Sequence, residues 1–394
     1  MKPYLLGLLA GAAACSGGPA PAAAPAPATT AQSGSRAPAA EFGYLLGVSS
    51  ESGDIISWVR PAADTLVVER TVPIGIMPAD IDGPHNITMA PDQRSYYVSI
   101  AHGTPHGTLW RLATDGDTLI GRATLEYYPT TISLTPDGEF AFVANSDFFG
   151  DRPRVNPVSV VHTPTMTKIA DIAACDMPHG VKVNHAGTRV YISCMHSDEI
   201  LEMEVATFGI TRRAKTGAGM PAGGGHAAHA PAPAAPAAAS APAVAAEKVC
   251  APTFVAVSPD DSRLYVACNT GDVLQVWDAA SMTKVGEVAV GKGAYNVEPS
   301  PDGSIVIVTN KKDRSVSIVD TRSLRELARV PTTKPVVHGV AFSPDGRYAY
   351  ISQESVGADP GAVDMIDLTT RTVVATVPLP AQPTGITVML APAR

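Results

Sequence analysis

One phrase, repeated along the chain, narrows the possible folds more than any other feature. An apolar strand runs into a turn of the Pro-Asp-Gly type and out into a second strand. Full copies begin at Pro84, Pro129, Pro178, Pro252, Ala294 and Val337, and a last copy from Pro383 has one strand only. The turn is mechanical: Pro presets φ, the Asp side chain closes the turn, and Gly accepts a positive φ. A period of roughly 45 residues made of short strands reads as propeller blades. The period also places equivalent positions of every blade in a ring, so residues far apart in sequence sort by face and radius.

Strands follow from the alternation of apolar and polar residues. In the copy from Val337 the spacing predicts strands over His338–Ser343, Tyr348–Ser352, Ala362–Asp367 and Thr372–Val377. The stretch before the first copy offers Tyr44–Val48, Asp54–Val59 and Thr65–Val72 but lacks a first strand, which Gly385–Leu390 can supply. The expected fold is an all-β, seven-bladed propeller over residues 42–394, with N- and C-terminal strands sharing the closing blade. That closure leaves no open strand edge between first and last blades.

The chain opens with a short apolar run, Tyr4–Ala14, followed by Cys15. Residues 1–15 read as an export signal with a lipobox-like end, although Ala12 stands where that pattern usually has Leu. A lipid on Cys15 would hold the protein to a membrane, so a periplasmic or cell-surface lipoprotein is expected. Residues 16–41, almost all Ala, Pro, Gly, Ser and Thr, cannot bury a core and read as a tether. Residues 214–247, with Met220, His226 and His229, read as a low-complexity insert between blades three and four. A net charge of −8 without a basic cluster excludes nucleic acid as a partner, since phosphate binding needs a positive stripe.

Phe142-Val-Ala-Asn145, Tyr265-Val-Ala-Cys-Asn269 and Ile307-Val-Thr-Asn310 resemble the signature of the YVTN seven-bladed propeller proteins. Val316–Asp320 and Val363–Asp367 fit the same pattern. The resemblance implies the fold and leaves function open, because one fold hosts many chemistries. Wider kin of this architecture include the haem-binding propeller of nitrite reductases, the copper propeller of nitrous oxide reductase and lactone-hydrolysing propellers.

The histidines gather. His85, His179 and His338 share one position, the second residue of the first strand, where the other copies have Thr130, Thr253, Tyr295 and Thr384. First strands line a propeller's channel, so this position rings its mouth. His102 and His196 share a second position, just after the second strand, and His106, His226 and His229 fall on the same face. His162 and His185 do not, and read as surface residues. Convergent imidazoles point to copper or zinc, and Met195, Met220 and Cys194 nearby tilt the choice toward copper. A second reading stays open: a rim histidine that only hydrogen-bonds a neighbouring blade. No Cys-x-x-Cys-His occurs, so no c-type haem is expected.

Strand pairing places Cys175 beside Cys194 and Cys250 beside Cys268, which predicts two intrablade disulfides in an oxidising compartment. A Cys/His metal site from Cys175, His179, Cys194 and His196 is the rival. Lys182 and Glu298 break a ring of small residues (Thr88, Ser133, Ala256, Ala341, Thr387) in the channel, where a structural ion pair is expected. The leading functional expectation is a non-enzymatic propeller that binds a metal ion or small ligand through His85, His179, His338, His102 and His196, in copper handling or respiratory support. A lactonase-like hydrolase using Glu298, and a scaffold binding protein on the histidine face, are the alternatives.

Overall fold

The second strands are buried along nearly their whole length, as in Phe140–Asn145, Arg263–Cys268 and Ile305–Asn310, so each sheet needs a packing partner on either side. A ring of sheets meets that need. The computed structural model describes residues 42–76, 80–102, 106–148, 155–217 and 249–390. The expected export signal, tether, Cys15, Met220, His226 and His229 lie outside the described residues.

Among the described residues the strands form seven four-stranded sheets, one per blade, in the expected all-β propeller. The apolar core is divided in the same way, with clusters that straddle neighbouring blades. Phe142, Val158 and Val160 of blade two pack on Val181, Ile192 and Leu201 of blade three. Leu274 and Val276 of blade four meet Val297 and Val308 of blade five.

The closing blade is built from both ends of the chain, in the order Pro383–Leu390, Tyr44–Ser50, Ile55–Ala62, Thr65–Pro73. Its splice runs from Tyr44 opposite Leu390 to Ser50 opposite Pro383. The Tyr44 and Tyr350 hydroxyls, 2.6 Å apart, tie this blade to blade six. The fourth strand of blade three runs Ile210–Lys215, so the first two residues of the expected insert belong to the sheet.

The turns behave as their sequence requires. Ser300 donates to Asp302 and Ser343 to Asp345, both at 2.6 Å, while Gly303 and Gly346 each take φ +69°.

One irregularity positions the site. The pairing of first with second strand slips after the opening residue, for instance between Pro178 and Val181 and between Val337 and Val340. The bulge turns the second residue to the channel mouth. Gly180 and Gly339 follow it because the next blade passes close: a Cβ on Gly180 would lie 2.9 Å from Thr253 O, and one on Gly339 2.6 Å from Thr384 O.

Candidate functional site

Across the channel mouth the ring position carries four large residues and three small ones, with Tyr295 and His338 side by side on blades five and six. His85, His179, Tyr295 and His338 fill the centre, and Thr130, Thr253 and Thr384 stand between them, all buried. The ring centroid of His85 lies 6.2 Å from His179 and 5.6 Å from His338. Tyr295 lies 5.5 Å from His179 and 4.7 Å from His338. His85 of blade one therefore packs against the rings of His179 and His338 from the non-adjacent blades three and six, because these long second-residue side chains reach toward the axis.

The threonines show what the fold asks of this position. Thr130 Oγ1 donates to His179 O at 3.1 Å, Thr253 Oγ1 to Tyr295 O at 2.5 Å, and Thr384 Oγ1 to His85 O at 2.6 Å. Each staples its blade to the next. His179 does the same, with Nδ1 3.0 Å from Thr253 O, and its Nε2 meets the Tyr295 hydroxyl at 3.1 Å. His179 is thus explained by packing alone.

His85 and His338 make no such staple among the described residues. His85 Nδ1 instead lies 2.7 Å from Oε2 of Glu51, a residue buried to 1% exposure. Glu51 sits in a single 3-10 turn, Glu51–Gly53, after the second strand of the closing blade, and its N–H donates to Gln382 O. Its Oε1 accepts from His102 Nε2 at 2.8 Å and from the Tyr128 hydroxyl at 2.6 Å. Burial pushes the Glu51 carboxyl up, but the charge of His85 and the hydrogen bonds from His102, His85 and Tyr128 outweigh it, so the group is held well below the usual carboxylate range. An ionised carboxylate only accepts, which assigns Nδ1–H to His85 and Nε2–H to His102. Burial and the Glu51 charge push the Tyr128 hydroxyl well up.

Lys311 and Glu354 form the other wall. Their side chains meet at 3.0 Å, and Lys311 Nζ lies 4.3 Å from the Tyr295 ring centroid. His338 Nε2 is 3.8 Å from Glu354, and its Nδ1 is buried without a hydrogen-bond partner among the described residues. Burial, then the charge of Lys311, holds its imidazole neutral, well below its ordinary value. Burial alone would lower Lys311, but the Glu354 charge raises it.

Sequence reasoning missed Glu51, Lys311 and Glu354. They share one register: each follows the second-strand residue (Ser50, Asn310, Gln353) that faces the start of the first strand. Counting one residue past the position that faces the start of the first strand in every copy would have found all three.

The remaining predicted residues take separate places. His102 joins the cluster through Glu51. His196 Nδ1 stands 3.4 Å from Asp176, and His106 Nδ1 3.8 Å from Glu126. His162 and His185 pair with Glu139 and Asp261 at the surface. Both expected disulfides are present, Cys175–Cys194 and Cys250–Cys268, which removes the rival Cys/His metal site. They mark a chain that matures in an oxidising compartment, an exported protein. Lys182 Nζ lies 3.1 Å from Glu298 Oε1. Glu298 sits three residues along its strand from Tyr295, about 10 Å by strand geometry, so it does not join the rim histidines as a hydrolase acid.

Residues 302–388 match the Cytochrome D1 heme domain family. Among solved structures, hydrazine synthase of Kuenenia stuttgartiensis is similar over 79% of this chain and 92% of its own, at 20% identity and a TM-score of 0.62. A functionally unknown protein from Desulfotomaculum acetoxidans is similar over 87% of this chain and 98% of its own, at 13% identity and a TM-score of 0.65. At these identities the two structures share the fold. The matched family segment covers blade five from its second strand onward, and includes Lys311, His338 and Glu354.

The cofactor expectation, copper or zinc and no c-type haem, is corrected by these findings. The matched family is a haem domain, and among the described residues no three His, Cys, Asp or Glu side chains are placed to hold a metal ion. The missing Cys-x-x-Cys-His speaks only to covalent attachment. His338 is a fitting donor, since neutral imidazole ligates haem iron. The space around it does not fit: going round the four central rings, each lies 4.7–6.2 Å from the next, and both His179 nitrogens are engaged. A flat macrocycle has no slot between them, and no chemistry is derived through one.

Proposed function

We propose that this exported propeller binds a small ligand at the histidine-lined mouth of its channel and performs no catalysis there. The observation that supports this most is the buried, unmet Nδ1 of His338 beside the buried Glu51–His85 pair. A threonine staple serves the fold at this ring position, whereas a bare imidazole nitrogen costs it free energy. Groups kept at such a cost cluster at functional sites. A ligand with a hydrogen-bonding group would meet His338 Nδ1, with His85 oriented behind it by Glu51.

The same reading includes a YVTN-type origin for the repeats, a lipid anchor on Cys15, and a place in respiratory support, which the likeness to a haem domain family favours. Native mass spectrometry of the protein released gently from its own membrane fraction tests the ligand. A bound small molecule, lost in His85→Ala and His338→Ala, is the expected result. A bare protein mass throughout would overturn the reading, and a Soret band matched to the protein would replace the ligand with haem. Cys15→Ala is expected to move the protein from the membrane to the soluble fraction; unchanged fractionation would remove the anchor.

A further inference from the structure

Beneath the ring of histidines the channel opens into a cavity of about 520 Å3. Its walls draw on the third to sixth residues of the first strands, and the fourth residues are apolar, Ile87, Ile132, Val181 and Ile386 among them. The third and fifth residues that line it are mostly small or neutral and polar: Asn86, Thr88, Ser133, Asn296 and Thr387 among them. Charge enters at one level only. Lys182 of blade three and Glu298 of blade five hold the fifth position, where the other blades have Thr88, Ser133, Ala256, Ala341 and Thr387. Lys182 Nζ reaches both Glu298 oxygens, at 3.1 and 3.3 Å. Both side chains are about one-third exposed, at 32% and 33%, and both line the cavity. His185, Pro259 and Pro301, at the strand turns, also line it, so the cavity reaches the face opposite the histidines.

The geometry points to a second binding site here, for a small zwitterion of the amino-acid type. Its ammonium group would take Glu298 and its carboxylate Lys182, while the neutral walls supply further hydrogen bonds. The size suits such a molecule, since small-ligand cavities start at about 300 Å3. Opening the pair is cheap, because partly solvated ion pairs contribute little to stability. A ligand that replaces each partner restores both contacts and buries them further. A plain strut between blades three and five would need neither a cavity around it nor solvent at both heads.

The test uses the full-length protein and each of the common L-amino acids in turn, by thermal shift and then calorimetry. At least one is expected to raise the melting temperature of the unaltered protein by several degrees at saturation, as ligand linkage requires. Its dissociation constant is expected to rise at least tenfold in Lys182→Met and in Glu298→Gln, the second being close to isosteric should the first fold poorly. No shift from any amino acid, or unchanged affinity in a folded variant, would overturn the proposal. A lower melting point in both variants without any ligand response would leave the strut instead. The outcome is independent of the ring site, whose ligand depends on His85 and His338.

Discussion

Glu51 Oε2 and His85 Nδ1 stand 2.7 Å apart, and the contact joins the closing blade to blade one at the channel mouth. The same carboxylate receives His102 and Tyr128. Glu51→Gln keeps the shape but replaces one acceptor oxygen by a donor, so the hydrogen bonds from His85, His102 and Tyr128 are no longer all met by an acceptor as they stand. The expected loss is about 2 kcal/mol, from the magnitude of hydrogen bonds to a charged group. Urea unfolding checks it, and an unchanged midpoint would show that the cluster carries no strain of this kind.

Two histidines of the cluster should pull pH dependence in opposite directions. For His102, burial lowers the imidazole but the hydrogen bond and charge of Glu51 prevail, and it lies above its ordinary 6.5. Its stabilisation is fully present below 6.5 and fades as pH rises through the raised folded value. His338 is held neutral, well below 6.5, so the unfolded chain takes its proton first and stability falls as pH drops beneath 6.5. Melting curves from pH 5 to 9 should show a shallower alkaline decline in His102→Gln and a shallower acid decline in His338→Leu. Profiles parallel to that of the unaltered protein would contradict both assignments.

The disulfides each close a short loop, with sequence separations of 19 and 18 residues. Chain-entropy reasoning for loops of this size gives about 3 kcal/mol each. Removing Cys250 and Cys268 together as serines should lower stability by about that amount, and the effect should nearly add to loss of the other pair. Denaturant titration under oxidising conditions measures it; a double variant as stable as the parent would place the constraint elsewhere.

The blade count, the shared closing blade and both disulfides were legible because they follow from period and register alone. Pro178 and Pro252 repeat the same phrase, so Cys194 and Cys268 had to lie opposite the starts of their strands. The ring of His85, His179 and His338 was legible for the same reason. Its chemistry was not. Whether His179 staples Thr253 O or His338 leaves Nδ1 bare depends on side-chain direction below the bulge, which no periodicity encodes. Glu51 was hidden by being charged, buried and one residue beyond a strand, where a solvated side chain is the ordinary expectation. The reading of copper or zinc rested on counting imidazoles, and it failed because one is consumed by a staple and another by a carboxylate.

The central claim is that the channel mouth binds a ligand at some cost to the fold, and His338→Leu tests it most directly. Leu fills similar space without a polar atom to leave unmet. The account predicts a melting temperature equal to or above that of the unaltered protein, together with loss of the bound small molecule from the native mass spectrum. A clear drop in melting temperature, with the spectrum unchanged, would contradict it and leave His338 a structural residue.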